Sequence, residues 1–192
     1  MTLNEAIVYM KQTRAMERIK RFSQNINPDY FHKPNGIHGV THTKRVLFLV
    51  ELLAALENLA ETERDILSMA AVYHDIGTTH DGADRAHGYS SFSKAEKLSI
   101  IHFENLEDCN AVKYLIETHC LNDEEAFALV MDYPLQEPSR AQKLLKFFKD
   151  ADGLDRVRIN DLNPAMLRLD LSRALVELAE ELYLRNALCA LD

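Results

Sequence analysis

The sequence predicts an all-α protein with a single domain. Apolar residues recur every three or four positions in almost every long segment, which is the helical period. Of the 192 residues, 47% are hydrophobic and 27% are charged, as in ordinary globular domains. No repeat and no shift of composition marks a boundary, so we predict one domain over residues 1–192.

Four helices and two loops are predicted in the first half of the chain. Thr2-x-x-Glu5 is a capping-box pattern that predicts a first helix over residues 3–23. A third helix, opened by Thr62, is apolar on several sides and ends at Gly77, which indicates a buried central helix. The other predicted elements are a loop over 24–41, a second helix over 42–59, a polar loop over 77–89, and a helix opened by Ser93 that runs to about residue 105.

The second half of the chain follows the same pattern. Asn163-Pro164 supplies an N-cap and a proline at the first helical position, which predicts a last helix of about 25 residues. The helices before it are a segment over 109–120 capped by Asp108, a short one over 123–131, and one over 140–150 capped by Ser139.

Composition and charge exclude several classes of protein. The formal net charge of −8 disfavours a protein that binds duplex nucleic acid, since such proteins are normally basic. The chain has no run of 18 apolar residues, so no membrane-spanning helix is predicted. The first residues do not resemble a signal peptide. Cys109, Cys120 and Cys189 form no CxxC pair and no disulfide framework. We therefore expect a cytoplasmic protein without a membrane partner.

The eight histidines are the unusual feature of the composition. His74 and Asp75 end the most apolar helix, where a buried carboxylate needs a compensating partner such as a metal ion. His42 opens the second helix, and Asp152 follows an apolar helix. Each residue also has a plain structural explanation. His74 could be a core histidine and Asp75 a capping carboxylate, while His42 could be a loop histidine and Asp152 a turn residue.

These residues resemble the HD-domain superfamily of metal-dependent phosphohydrolases. The motifs are HxxRV from His42 to Val46, the HD pair in YHDIG, and DADGLD, and the resemblance extends over about residues 36–158. It implies a helical bundle with a metal site between helices, on which the N-terminal and C-terminal helices pack. It also implies that His42, His74, Asp75 and Asp152 are metal ligands, with Asp152 chosen over Asp150 because DxLD aligns its first aspartate.

Two further histidines extend this ligand set. His87 lies near the end of the polar loop and His119 ends an amphipathic helix. They are 32 residues apart, the same separation as between His42 and His74. Relatives with this set of six hold two metal ions, bridged by the aspartate of the HD pair. The alternative is one ion, with His87 a solvated loop residue and His119 a core histidine.

The resemblance implies hydrolysis of a phosphate mono- or diester by metal-activated water. Imidazole and carboxylate ligands suit Mn, Fe, Ni, Co or Zn. We expect His74, Asp75 and Arg85 to act in catalysis, and a small phosphorylated metabolite, a nucleotide among the candidates, to be the substrate. The expected substrate contacts are His38, His80, Arg85 and Arg156, each of which could instead be a surface residue.

Two other functions and the oligomeric state stay open at this stage. A few relatives use a di-iron pair with similar ligands to activate dioxygen. A sensor that binds a nucleotide or phosphate without turnover is the non-enzymatic alternative, although no ligand is missing here. The last helix could pack on the domain or on a second copy, so the protein is expected to be a monomer or a homodimer.

Overall fold

The computed structural model describes residues 1–82 and 84–185, and within these ranges all regular structure is helical. The all-α prediction is therefore confirmed. The α-helices are α1 (Leu3–Gln12), α2 (Ala15–Ser23), α3 (Val40–Leu56), α4 (Glu61–Tyr73), α5 (His87–Leu98), α6 (Leu106–Thr118), α7 (Asp123–Ala128), α8 (Pro138–Leu154), α9 (Asp170–Arg173) and α10 (Val176–Leu184). Short 3₁₀ turns occupy Pro28–Tyr30, Leu129–Asp132, Asp155–Ile159 and Pro164–Met166.

Helix α3 is the centre of the bundle. It packs against α2, α4 and α8, and the residues from Val46 to Leu53 are buried throughout. Helix α4 in turn contacts α6 and α8, and α5 lies on α6. The ends of α4, α6 and α8 and the starts of α3 and α5 consequently share one region of the domain.

A buried ionic cluster ties α2, α3 and α4 together. The carboxylate of Glu51 accepts hydrogen bonds from Arg18 at 2.9 Å, from Arg64 at 2.6 Å and from the hydroxyl of Ser68 at 2.6 Å. All four residues are buried. A carboxylate taken out of water costs free energy unless it is paired and hydrogen-bonded, and these donors supply that compensation.

The predicted first helix is divided in two. The capping box of Thr2 and Glu5 is present, but Arg14 adopts φ 60°, in the left-handed region, and separates α1 from α2. The hydroxyl of Thr13 donates to the Tyr9 carbonyl at this break. Packing of both short helices against the bundle thus overrides a continuous helical pattern.

The prediction of one long last helix is wrong. Asn163 does cap a turn, since its side chain accepts a hydrogen bond from the Ala165 amide, but the turn is a 3₁₀ helix that ends at Met166. The buried carboxylate of Asp150 then accepts from the amides of Arg168 and Leu169, which holds this segment in an extended conformation. The expected end of that helix falls on residues 186–192, outside the described residues.

Predicted helix starts are also displaced in several places. Helix α5 begins at His87, six residues before Ser93, and ends at Leu98. The cap of α6 is Asn105 and not Asp108, and α8 begins at Pro138, just before Ser139. Within the described ranges no helix combines the length and the hydropathy needed to span a bilayer.

Candidate metal centre

The structure brings the six predicted ligands together from five helix ends. His42 lies in the first turn of α3, His87 is the first residue of α5, and Asp152 lies in the last turn of α8. His74 and Asp75 directly follow α4, and His119 directly follows α6. The six residues come from segments far apart in sequence, and five of them are buried.

His42 and His74 form the first histidine pair, with their Nε2 atoms 3.1 Å apart. Their other ring nitrogens are occupied: Nδ1 of His42 bonds Asp155 Oδ2 at 2.7 Å, and Nδ1 of His74 donates to the Ala71 carbonyl at 2.9 Å. In neutral rings this arrangement leaves both Nε2 atoms as acceptors with no hydrogen between them. One ion with metal–nitrogen bonds of about 2.1 Å can contact both.

His87 and His119 form a second pair of the same kind. Their Nε2 atoms lie 2.9 Å apart, Nδ1 of His87 donates to the Asp84 carbonyl, and Nδ1 of His119 donates to the Ile116 carbonyl at 2.7 Å. Both free nitrogens thus face a common point, and this pair also fits a metal ion. The sulfur of Cys120 lies within 4.8 Å of one ring nitrogen of each of these histidines.

Asp75 lies between the two pairs. Its Oδ2 atom is 3.2 Å from His42 Nε2 and 3.3 Å from His74 Nε2. Its Oδ1 atom is 3.3 Å from His87 Nε2 and 3.8 Å from His119 Nε2. Each carboxylate oxygen therefore faces one histidine pair, the arrangement needed for a carboxylate that bridges two ions.

Asp152 joins the first pair. Its Oδ1 atom lies 3.4 Å from His42 Nε2, and His42, His74 and Asp152 form one of the groups able to hold an ion. Asp150, the alternative in DADGLD, is instead completely buried against Arg168 and Leu169. The two aspartates thus point to different neighbours, and Asp152 is the one at the cluster.

Burial and mutual charge set the protonation of these groups. Burial would raise the pKa of Asp75, but the surrounding histidines outweigh it and hold that pKa well below its usual value. The same competition holds the pKa of Asp152 at about 2. Burial lowers the pKa of His119 to about 4, whereas Asp75 outweighs burial and raises the pKa of His74 and His87. The carboxylates and His119 are therefore ready to bind a cation at neutral pH.

Two glycines allow the close approach that brings the second pair together. A Cβ atom on Gly88 would lie 2.4 Å from the Ile116 carbonyl oxygen, so α5 begins directly against the end of α6. A Cβ atom on Gly77 would lie 2.2 Å from the Ser91 amide nitrogen, and the Gly77 amide donates to the Ser91 hydroxyl. Gly77, two residues after Asp75, and Gly88, directly after His87, thus both require the absence of a side chain.

The predicted substrate contacts divide into one residue at the cluster and three outside it. His38 Nδ1 lies 2.9 Å from Asp75 Oδ2, and the His38 side chain is 22% exposed. His80 is exposed and accepts from the Gly82 amide. Arg85 pairs with Glu125 and Arg156 pairs with Asp161, both at exposed positions. The contacts of these three residues do not bring them to the cluster.

Asp155 and Arg158 are residues that the sequence reasoning missed. Asp155 is buried, bonds His42 and accepts two hydrogen bonds from Arg45, the arginine of HxxRV. Burial would raise the pKa of Asp155, but His42 and Arg45 outweigh it and lower that pKa. Asp155 could have been found from the sequence, because it is the last aspartate of DADGLD and lies one helical turn after Asp152. The arginine of HxxRV, Arg45, also needs a buried acidic partner.

One of three comparisons with known proteins returned a match. A family model described as HD domain matches residues 39–157, a range that contains all six predicted ligands. Neither the search of curated proteins nor the search of solved structures returned a match. The matched range covers more than half of the chain, and the chain therefore belongs to the HD domain family.

Proposed function

We propose that this protein is a phosphohydrolase that uses two divalent transition-metal ions to cleave a phosphate mono- or diester of a small metabolite, a nucleotide among the candidates. The observation that carries the proposal is the position of Asp75, with one carboxylate oxygen beside each of two histidine pairs. Membership of the HD domain family supports the same class of activity.

The residues divide into two ligand groups. His42, His74, Asp152 and Oδ2 of Asp75 would hold one ion. His87, His119 and Oδ1 of Asp75 would hold the other. Nitrogen and oxygen ligands of this kind suit Mn, Fe, Co, Ni or Zn.

When bound, two such ions would supply hydroxide from water at neutral pH and would neutralise the charge that develops on the phosphoryl oxygens. The chain's own residues hold the ligands in the required state. Asp155 and the Ala71 and Ile116 carbonyls each accept a hydrogen bond from a ring Nδ1, which directs the Nε2 atoms of His42, His74 and His119 at the centre. Of the four predicted substrate contacts, His38 is the one that lies at the cluster, partly exposed beside Asp75.

Local charge reconciles an acidic protein with an anionic substrate. The formal net charge is −8, but two carboxylates and two divalent ions would give the centre a charge of about +2. A phosphate is therefore attracted to the site even though the protein as a whole is negative.

The cytoplasmic location and the monomeric or homodimeric state stay predictions.

The test combines metal analysis with a substrate screen. Metal-free protein is loaded with Mn, Fe, Co, Ni or Zn in turn, and hydrolysis of nucleotides, dinucleotides and sugar phosphates is measured. We expect two bound ions and hydrolysis of at least one class. Asp75→Ala should lose both ions and His87→Ala one, while His102→Ala, at an exposed position, serves as the matched histidine control.

Three results would contradict the proposal. A protein that binds none of the five metals would show that the two-metal centre does not exist. Iron-dependent oxygen uptake without hydrolysis under any metal would indicate an oxygenase. Nucleotide binding by the metal-loaded protein without turnover of any substrate would indicate a sensor.

A further inference from the structure

Arg158 joins the turn after α8 to the loop before α3. Its Nε atom donates to the Ile37 carbonyl at 2.8 Å, and its Nη1 atom donates to the Asp155 carbonyl at 3.1 Å. The side chain is only 7% exposed, and Nη1 also lies 3.5 Å from Asp155 Oδ2. One guanidinium thus connects two segments that are 121 residues apart.

Both connected segments carry side chains of the metal centre. Asp155 holds Nδ1 of His42. Ile37 directly precedes His38, whose Nδ1 atom contacts Asp75 Oδ2. Within the described part of the chain Arg158 has no hydrogen bond to any of the six predicted ligands. Its charge helps to lower the pKa of Asp152, whereas its hydrogen bonds reach only Ile37 and Asp155.

The two segments depend on Arg158 to different degrees. Asp155 is also held by Arg45 through two hydrogen bonds, so His42 keeps its partner without Arg158. The His38 loop has weaker support: turn hydrogen bonds within residues 33–40 and an exposed ion pair between Lys33 and Asp81. An exposed pair of this kind adds little stability. The position of His38 therefore depends on Arg158 more than the position of His42 does.

We propose that Arg158 is a positioning residue that holds the His38 loop so that His38 lies against Asp75 on the solvent side of the metal centre. The planar guanidinium can direct two donors at two acceptors at once, which a lysine ammonium on a flexible stem does less well. Resting on the proposed function, this role makes Arg158 a determinant of how a phosphate substrate meets His38.

The first test observes His38 directly in metal-free protein. Ring-nitrogen NMR signals of His38 are compared in wild type, Arg158→Ala and Arg158→Lys, with His38→Gln used for assignment. We expect Arg158→Ala to move the His38 signals towards those of the exposed His102, and Arg158→Lys to restore them only in part. Unchanged His38 signals in Arg158→Ala, or full restoration by lysine, would overturn the proposal.

The second test uses turnover and metal content together. Arg158→Ala should keep the wild-type metal content and lose kcat/KM about as much as His38→Gln does, and the double variant should lose no more than either single variant. Losses that multiply in the double variant, or loss of bound metal in Arg158→Ala, would contradict a role through His38.

Arg173 provides the matched control. It also donates to a main-chain carbonyl, that of Leu167, and to a carboxylate three residues before it, that of Asp170. Arg173→Ala should leave the His38 signals and turnover unchanged. If Arg158→Ala is too unstable to study, Arg158→Lys alone decides, because full wild-type signals in that variant refute the proposal. A shifted His38 signal in a protein that hydrolyses no phosphate would refute the proposed function but not the positioning role.

Discussion

Asp155 Oδ2 lies 2.7 Å from Nδ1 of His42, on the side of the ring opposite the metal centre. A carboxylate in this place fixes the tautomer that leaves Nε2 free, and such partners commonly change metal affinity by about 10- to 100-fold. We predict that Asp155→Asn weakens metal binding at the His42 group by about that factor. Calorimetric titration with Zn measures the affinity.

The control for Asp155→Asn is Asp161→Asn, since Asp161 is an exposed carboxylate whose side-chain partner is Arg156. Its metal affinity should equal that of wild type. An Asp155→Asn variant with wild-type affinity would show that the Asp155 carboxylate does not support the centre.

Metal binding should release protons, and its affinity should fall in acid. Although burial opposes it, Asp75 raises the pKa of His74 and His87 in the metal-free protein, so these rings retain protons to higher pH than free histidine does. A metal ion must displace those protons, and the competition strengthens as the pH falls below the raised pKa values. His119, with a pKa of about 4, and Asp152, with a pKa of about 2, add no protons near neutrality.

The measurement for proton release is titration calorimetry at pH 6.5 in two buffers with different ionisation enthalpies. The observed heats should differ by an amount that corresponds to at least one released proton. Equal heats in both buffers would contradict the raised pKa values.

Gly88→Ala should disturb the second histidine pair. Its Cβ atom would lie 2.4 Å from the Ile116 carbonyl oxygen, which is backbone and cannot rotate away. We expect a loss of stability of about 1–3 kcal/mol, because α5 must move away from α6. The displacement separates His87 from His119, so metal analysis should find one ion bound in place of two.

Lys97→Ala, at an exposed position on the same helix, is the control for Gly88→Ala and should keep both ions. A Gly88→Ala variant that keeps wild-type stability and both ions would show that the close approach of α5 and α6 is not required.

The buried ionic cluster predicts a stability effect that leaves the centre intact. Glu51→Ala removes the carboxylate shared by Arg18 and Arg64. Breaking a buried pair costs about 3–5 kcal/mol, and we expect the lower end, about 3 kcal/mol, because both arginines keep Glu61. Urea denaturation of metal-free protein measures the free energy of unfolding. Where the variant remains folded, its metal content should equal that of wild type.

The exposed pair of Arg14 and Glu17 is the comparison for Glu51. Glu17→Ala should change the free energy of unfolding by no more than about 1 kcal/mol. Similar effects of Glu51→Ala and Glu17→Ala would show that burial of the cluster does not matter.

The fold class could be predicted because helical periodicity is a local property of the sequence. The helix ends were harder to predict, because a tertiary contact decides where a helix stops. The last predicted helix is interrupted where Asp150 accepts the Arg168 and Leu169 amides, and Asp150 lies 18 residues before Arg168. The start of α5 at His87 likewise depends on the contact of Gly88 with α6.

The sequence by itself determined the helical class and the HD motifs, because both depend on the local order of residues along the chain. The resemblance carried by those motifs then named the six residues that meet at the centre. Only the tertiary structure decided which oxygen of Asp75 faces which histidine pair. It also decided that Asp155 contacts His42 and that Arg158 contacts the Ile37 carbonyl next to His38. It also placed Arg85 and Arg156 in surface ion pairs. The physical reason is that a charged side chain pairs with a group only a few ångströms away in the folded protein. That group usually comes from a distant part of the sequence.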